Sequence, residues 1–130
     1  VRAAKVVECR VWLVSDRAML SYNKKWRDKA KTTDVLSFPV HQFDARDRLK
    51  QKSRSRTLAY SPPLLDLGDV VISKDQALRQ AKKFEWNTSY EVLRLFIHGC
   101  YHLIGFDHER SREEEHLQSD LEQKTINLVW

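Results

Sequence analysis

Apolar and polar positions alternate from Val6 to Val14: Val7, Cys9, Val11 and Leu13 share one face of an extended chain, with Glu8 and Arg10 on the other. Trp12 and Val14 interrupt the polar side, so the predicted strand is partly covered on both faces. Ser15 or Asp16 can cap a short helix carrying Met19, Leu20, Tyr22, Asn23 and Trp26, which runs out into the polar segment RDKAKTTD. Residues 35–40 (VLSFPV) predict a second strand, and Pro39, lacking an N–H, pushes it to a sheet edge.

Residues 41–65 have a different character. Arg46, Arg48, Lys50, Lys52, Arg54 and Arg56 recur at every second position, and Pro62-Pro63 follows. So polar a stretch predicts an exposed loop inserted between two elements. Residues 68–73 (GDVVIS) then form a buried-type strand. Ser73 with Gln76 is a capping-box signal for a helix through about Glu85, and Thr88 with Glu91 repeats it for a helix over 89–103. That second helix is apolar almost all round (Val92, Leu93, Leu95, Phe96, Ile97, Leu103), which places it in the core, and Gly105 ends it. A last amphipathic helix from about Arg112 offers Leu117, Leu121 and Leu128 to the interior. The expectation is one α+β domain over 1–130: a small mixed sheet packed on helices, one of them central.

The central helix carries the candidate chemistry in H98-G-C-Y-H102-L-I-G105-F-D-H108. His98 and His102 are four residues apart, about 40° from eclipsed on a helix, so both rings can reach one point. Gly105 allows the sharp turn that would return His108 to it. A single histidine on an apolar helix is usually a core residue with its hydrogen bonds met. Two on one stripe, each costly to bury without partners, and a third beyond a glycine bend point instead to one bound zinc ion. Three neutral imidazoles leave a fourth tetrahedral position for water, the mark of a catalytic rather than a closed structural site. The spacing resembles the metzincin peptidase pattern H-E-x-x-H-x-x-G-x-x-H, but Gly99 stands where those enzymes have their general base, and the one methionine, Met19, lies well before the motif. Peptidase chemistry is therefore disfavoured.

Charge and cysteine content refine the picture only slightly. A net charge of +5 and a pI near 9.3 favour a polyanionic partner. Cys9 and Cys100 have no metal-ligand spacing and read as free thiols. No apolar run is long enough to span a bilayer, and VRAAKVVECR shows neither a signal-peptide stretch nor a Met start, so the sequence is read as beginning part-way into a longer chain.

HGCYHLIGFDH (98–108), LGDVVIS (67–73) and NKKWRDKAKTTDVLSFP (23–39) together resemble the YbeY family of single-domain, metal-dependent endoribonucleases. The resemblance implies an α+β fold, zinc on His98, His102 and His108, and hydrolysis of single-stranded RNA. It also implies a role in ribosomal RNA processing at the 3′ end of 16S RNA and in small-subunit assembly, hence cytoplasmic location or, in a eukaryote, an organelle matrix. Arg27, after Trp26, matches the family's functionally important arginine; with His98 it is the expected catalytic residue, its guanidinium fork suited to a phosphate. Ala30 and Thr32 depart from the acidic residue and proline more usual there. The family's opening strand and helix have no counterpart ahead of Val6, and the 46–56 stretch is longer than the usual connection. Its six basic residues are candidate RNA contacts.

Smaller expectations concern single residues. Asp107 is a candidate to orient His98 or His102. Asp69 is expected to be a hydrogen-bond acceptor at a turn or strand end, Cys100 to pack away from the metal, and His41 and His116 to lie on the surface. Two competing functions remain open at this point: a ribosome-assembly RNA-binding factor with a structural metal, and a zinc hydrolase of a peptide or small phosphoester.

Overall fold

The computed structural model describes residues 6–27, 33–41 and 64–130; the side chain of Arg27 and all of Arg46, Arg48, Lys50, Lys52, Arg54 and Arg56 lie outside them. In chain order the elements are β1 (Val6–Val14), α1 (Asp16–Arg27), β2 (Val35–Pro39), β3 (Leu64–Ser73), α2 (Lys74–Phe84), α3 (Thr88–Leu103) and α4 (Arg112–Val129). The sheet order is β1-β3-β2, with β1 parallel and β2 antiparallel to β3. The expected α+β architecture with a mixed sheet is thus observed, and Pro39 does sit on an edge strand.

β3 is the central strand, which explains why its sequence is apolar on consecutive positions instead of alternating. Val70 and Ile72 pack with Ala77, Leu95 and Leu103 under α2 and α3, while Val71 joins Met19 and Leu36 on the α1 side. The strand begins four residues earlier than its sequence suggests. Leu64 and Leu65 pair with Val6 and Val7, so the last two positions assigned to the loop are sheet, and a register shift at Glu8/Cys9 accommodates the extra length.

Caps fix the helices where they begin. Ser73 Oγ accepts the Gln76 N–H at 3.1 Å and donates to Asp16 Oδ1 at 2.8 Å, tying the start of α2 to that of α1. The cap of α3 is Asn87 in place of Thr88: Asn87 is the extended residue before the helix, and its Oδ1 accepts the Ser89 N–H at 2.7 Å. Ser111 caps α4 through the Glu114 N–H. Of the leucines expected on the inner face of α4, only Leu121 is half-buried. Leu117 and Leu128 are 41% and 85% exposed, whereas Gln118 and Ile126 are buried. The helix is rotated by about one residue step, roughly 100°, so that a polar stripe faces α3. Among the described residues no helix is long and apolar enough to cross a membrane.

α3 meets the sheet at Gly99. A Cβ there would lie 2.6 Å from Val70 Cγ1 and 3.1 Å from Val70 Cγ2, and the Gly99 carbonyl accepts the Ser37 hydroxyl at 2.9 Å. The glycine that replaces the peptidase glutamate is therefore a packing requirement, with no room for a general base. Gly99→Ala is expected to lower stability by about 1–2 kcal/mol, overpacking outweighing the better helix propensity of alanine. Thermal melts check this, and a Tm equal to or above that of the parent chain would refute the close-contact account.

Candidate metal centre

The three histidines converge. Ring centres of His98 and His102 are 4.7 Å apart, and His108 lies 5.3 and 5.2 Å from them. One nitrogen from each ring falls within 4.8 Å of the others. Helical spacing aligns the first two, and Gly105 at φ 105° turns the chain so that the third returns beside them. The turn is held by the Arg110 guanidinium, which donates to the Gly105 carbonyl at 2.6 Å and pairs with Glu114. His98 Nε2 and His102 Nε2 are 3.2 Å apart. That matches the ~3.3 Å edge of a tetrahedron with metal–nitrogen bonds of about 2.0 Å.

The remaining ring nitrogens define the tautomers. His98 Nδ1 lies 2.9 Å from Glu122 Oε2, so the carboxylate takes the Nδ1–H and leaves the Nε2 lone pair toward the cluster. Gln118 Nε2 donates to the same oxygen at 2.9 Å. Burial works to raise the Glu122 pKa, but the His98 hydrogen bond and charge outweigh it and hold the carboxyl below its ordinary range. Burial, followed by the neighbouring His98 and His108, pushes His102 down, which keeps its lone pair available at neutral pH. His108 Nδ1 is buried and has no hydrogen-bond partner among the described residues. Three imidazole nitrogens at this separation, one ring with an unsatisfied buried nitrogen, fit a first-row divalent ion such as zinc.

Sequence reasoning found the three clustered histidines but not Glu122. Asp107 does not bond to His98, which Glu122 holds; its Oδ1 accepts the Glu109 N–H at 2.9 Å and closes a local turn, while its charge acts on His102. A signal for Glu122 existed: Gln118, Glu122, Thr125 and Ile126 form an i, i+4, i+7, i+8 stripe on α4. The leucines beside it carried the stronger hydrophobic pattern.

The cluster opens on a cleft of about 710 Å³ lined by Asn23 of α1, the 34–37 segment, the α3 residues Arg94, His98 and His102, and the bend through His108. Arg27 ends α1 one helical turn beyond Asn23. Asp69 accepts from Arg10 within the sheet, and His116 is exposed. His41 is half-buried, its charge acting on Asp66. Cys9 and Cys100 are free thiols that pack against the core cluster, with burial pushing Cys100 up to about 12.

Fold and site together define a small α+β protein built around three histidines able to hold one metal ion. The family model described as Endoribonuclease YbeY matches residues 1–128. Proteins named Endoribonuclease YbeY from Leptospira interrogans serovar Lai and from Aquifex aeolicus are 38% and 37% identical over 123 residues, covering 94% and 95% of this chain and 86% and 71% of their own. The solution structure of TM1509 from Thermotoga maritima shares the fold, with a TM-score of 0.60 at 24% identity over 95% of this chain and 69% of that one. The chain belongs to the endoribonuclease YbeY family.

Glu122→Gln is expected to weaken zinc binding by about 10- to 100-fold, as loss of a charged partner behind a ligating imidazole does. Competition against a chelator of known affinity measures it; an unchanged affinity would show that Glu122 plays no part in holding the ion.

Proposed function

We propose that the chain is a zinc-dependent endoribonuclease that hydrolyses phosphodiester bonds of single-stranded RNA, with ribosomal RNA at the 3′ end of 16S as its substrate during small-subunit assembly. One zinc per chain is held by His98, His102 and His108. The observation that carries this reading is the meeting of three ring nitrogens within 4.8 Å in an open cleft, in a chain of this family. Zinc bound there supplies Lewis acidity and activates water near neutral pH, the chemistry a phosphodiester requires.

The chain's own residues do the rest. Glu122 fixes the orientation of His98 and maintains the tautomer that ligates. Arg27, one turn past the cleft-lining Asn23, brings a guanidinium fork whose two parallel N–H groups match the non-bridging oxygens of a phosphate and offset charge developing on them. The net charge of +5 favours a polyanion, and the six basic residues of the 46–56 stretch add sequence-blind phosphate contacts. The compartment is one that contains ribosomes, the cytoplasm or an organelle matrix. Gly99, packed on Val70, argues against peptide hydrolysis.

A structural metal is the rival. The two core clusters include none of the three histidines, and His98 is held by Glu122 through a protein hydrogen bond. Chelation is therefore expected to stop RNA cleavage while the domain stays folded, with a modest drop in Tm. Unfolding on chelation would assign the ion a structural role. His98→Ala and Arg27→Glu are each expected to abolish cleavage of a defined RNA by metal-quantified protein while preserving the fold; wild-type rates in either variant would trace the activity to a contaminant.

A further inference from the structure

The cleft continues past the histidines. One turn before His98 on α3, Arg94 lines the same wall. Its Nε and Nη2 bond to Glu91 Oε1 and Oε2 at 2.8 and 2.7 Å, and Glu91 is fully buried and also receives Gln80 Nε2. This two-point clamp fixes the guanidinium plane. Nη1 forms no hydrogen bond among the described residues, and the side chain is 31% exposed. A held arginine with an unused fork edge, beside a metal-ligand cluster, has the geometry of a phosphate contact.

Aromatic rings adjoin it. The Arg94 guanidinium carbon lies 5.9 Å from the centre of the Trp86 ring. Trp86 contacts Phe84 at 5.1 Å and Tyr90 at 5.1 Å, and Tyr90 contacts Trp130 at 5.4 Å. These rings do not fill the core: Phe84, Trp86 and Trp130 are 52%, 38% and 63% exposed. Lys83 Nζ sits 5.6 Å from the Phe84 ring. Exposed aromatic faces interleaved with cations are the composition of a single-strand nucleic acid platform, where bases stack and phosphates pair with charge. Tyr90 is eight residues before His98, about 12 Å along the helix axis, a reach of a few nucleotides.

We propose that Arg94 and Trp86 form a nucleotide subsite continuous with the metal cleft: Arg94 binds a phosphate flanking the one at the histidines, and an unpaired base stacks on Trp86. This rests on the RNA-cleaving reading above. The occupant is RNA and not an apolar segment of a partner protein, because the rings are bounded by Lys83 and by Arg94, which itself lines the cleft.

The test is fluorescence anisotropy with two labelled single-stranded oligomers of equal phosphate number, an oligouridylate and an abasic counterpart, intact on gels throughout the titration. The wild type is expected to bind the abasic oligomer about tenfold more weakly, within the contribution of one stacked base. Trp86→Ala loses about tenfold on the oligouridylate and little on the abasic oligomer. Removing Arg94 alone strands a buried carboxylate, so Arg94 and Glu91 are replaced together as Arg94→Met with Glu91→Gln, and melts monitor folding. That variant weakens binding of both oligomers and reduces the magnitude of the slope of log K against log salt by about 0.7. If the folded variants bind both oligomers as the wild type does while wild-type cleavage persists, the subsite is wrong, a protein partner becomes the better occupant, and the nuclease reading stands. A wild type that neither binds nor cuts RNA overturns both.

Discussion

The close approach of α3 to the central strand sets the geometry of everything else. With no side chain at Gly99, the helix backbone settles directly on Val70, and Ser37 of the edge strand fastens it through the Gly99 carbonyl. A helix pinned at one residue has a fixed rotation. Leu95 and Leu103 then turn into the core, and His98 and His102 into the cleft beside β2. A larger residue at 99 would lift the helix and carry both imidazoles away from His108. The position where the metzincin motif keeps its general base is here given over to packing.

Around this contact the protein buries polar groups that a stability argument alone would not select. Glu91 is fully buried but doubly bonded to Arg94, and Glu122 and Gln118 sit behind His98. Each carboxylate is retained in low dielectric only because a cation or N–H donor faces it. These two separate sets of hydrogen bonds hold Arg94 and His98 in the wall of the cleft. Function and stability pull against each other in α4 as well, where two leucines stay exposed so that the polar stripe can face the site.

The sequence made much of this legible. The nine-residue strand β1, the edge position of β2, the capped helices and the apolar core helix follow from periodicity and caps, because these are local properties of a few adjacent residues. The histidine cluster was legible for the same reason: His98 and His102 lie on one helix, and His108 follows a glycine bend only a few residues on. The start of β3 at Leu64 was not, since it depends on pairing with Val6 and Val7 some sixty residues away.

By itself, then, the sequence determined which elements form, that three imidazoles can meet, and, through its motifs, the family. Only tertiary structure decided which face of α4 turns inward, that Glu122 and not Asp107 bonds to His98, and that Arg94, in the wall of the cleft, lies beside Trp86. Such facts rest on contacts between elements distant in the chain. Hydrophobic periodicity ranks helix faces by apolar content, whereas a site needing a carboxylate behind its ligand can select the poorer face, and no local pattern records that choice.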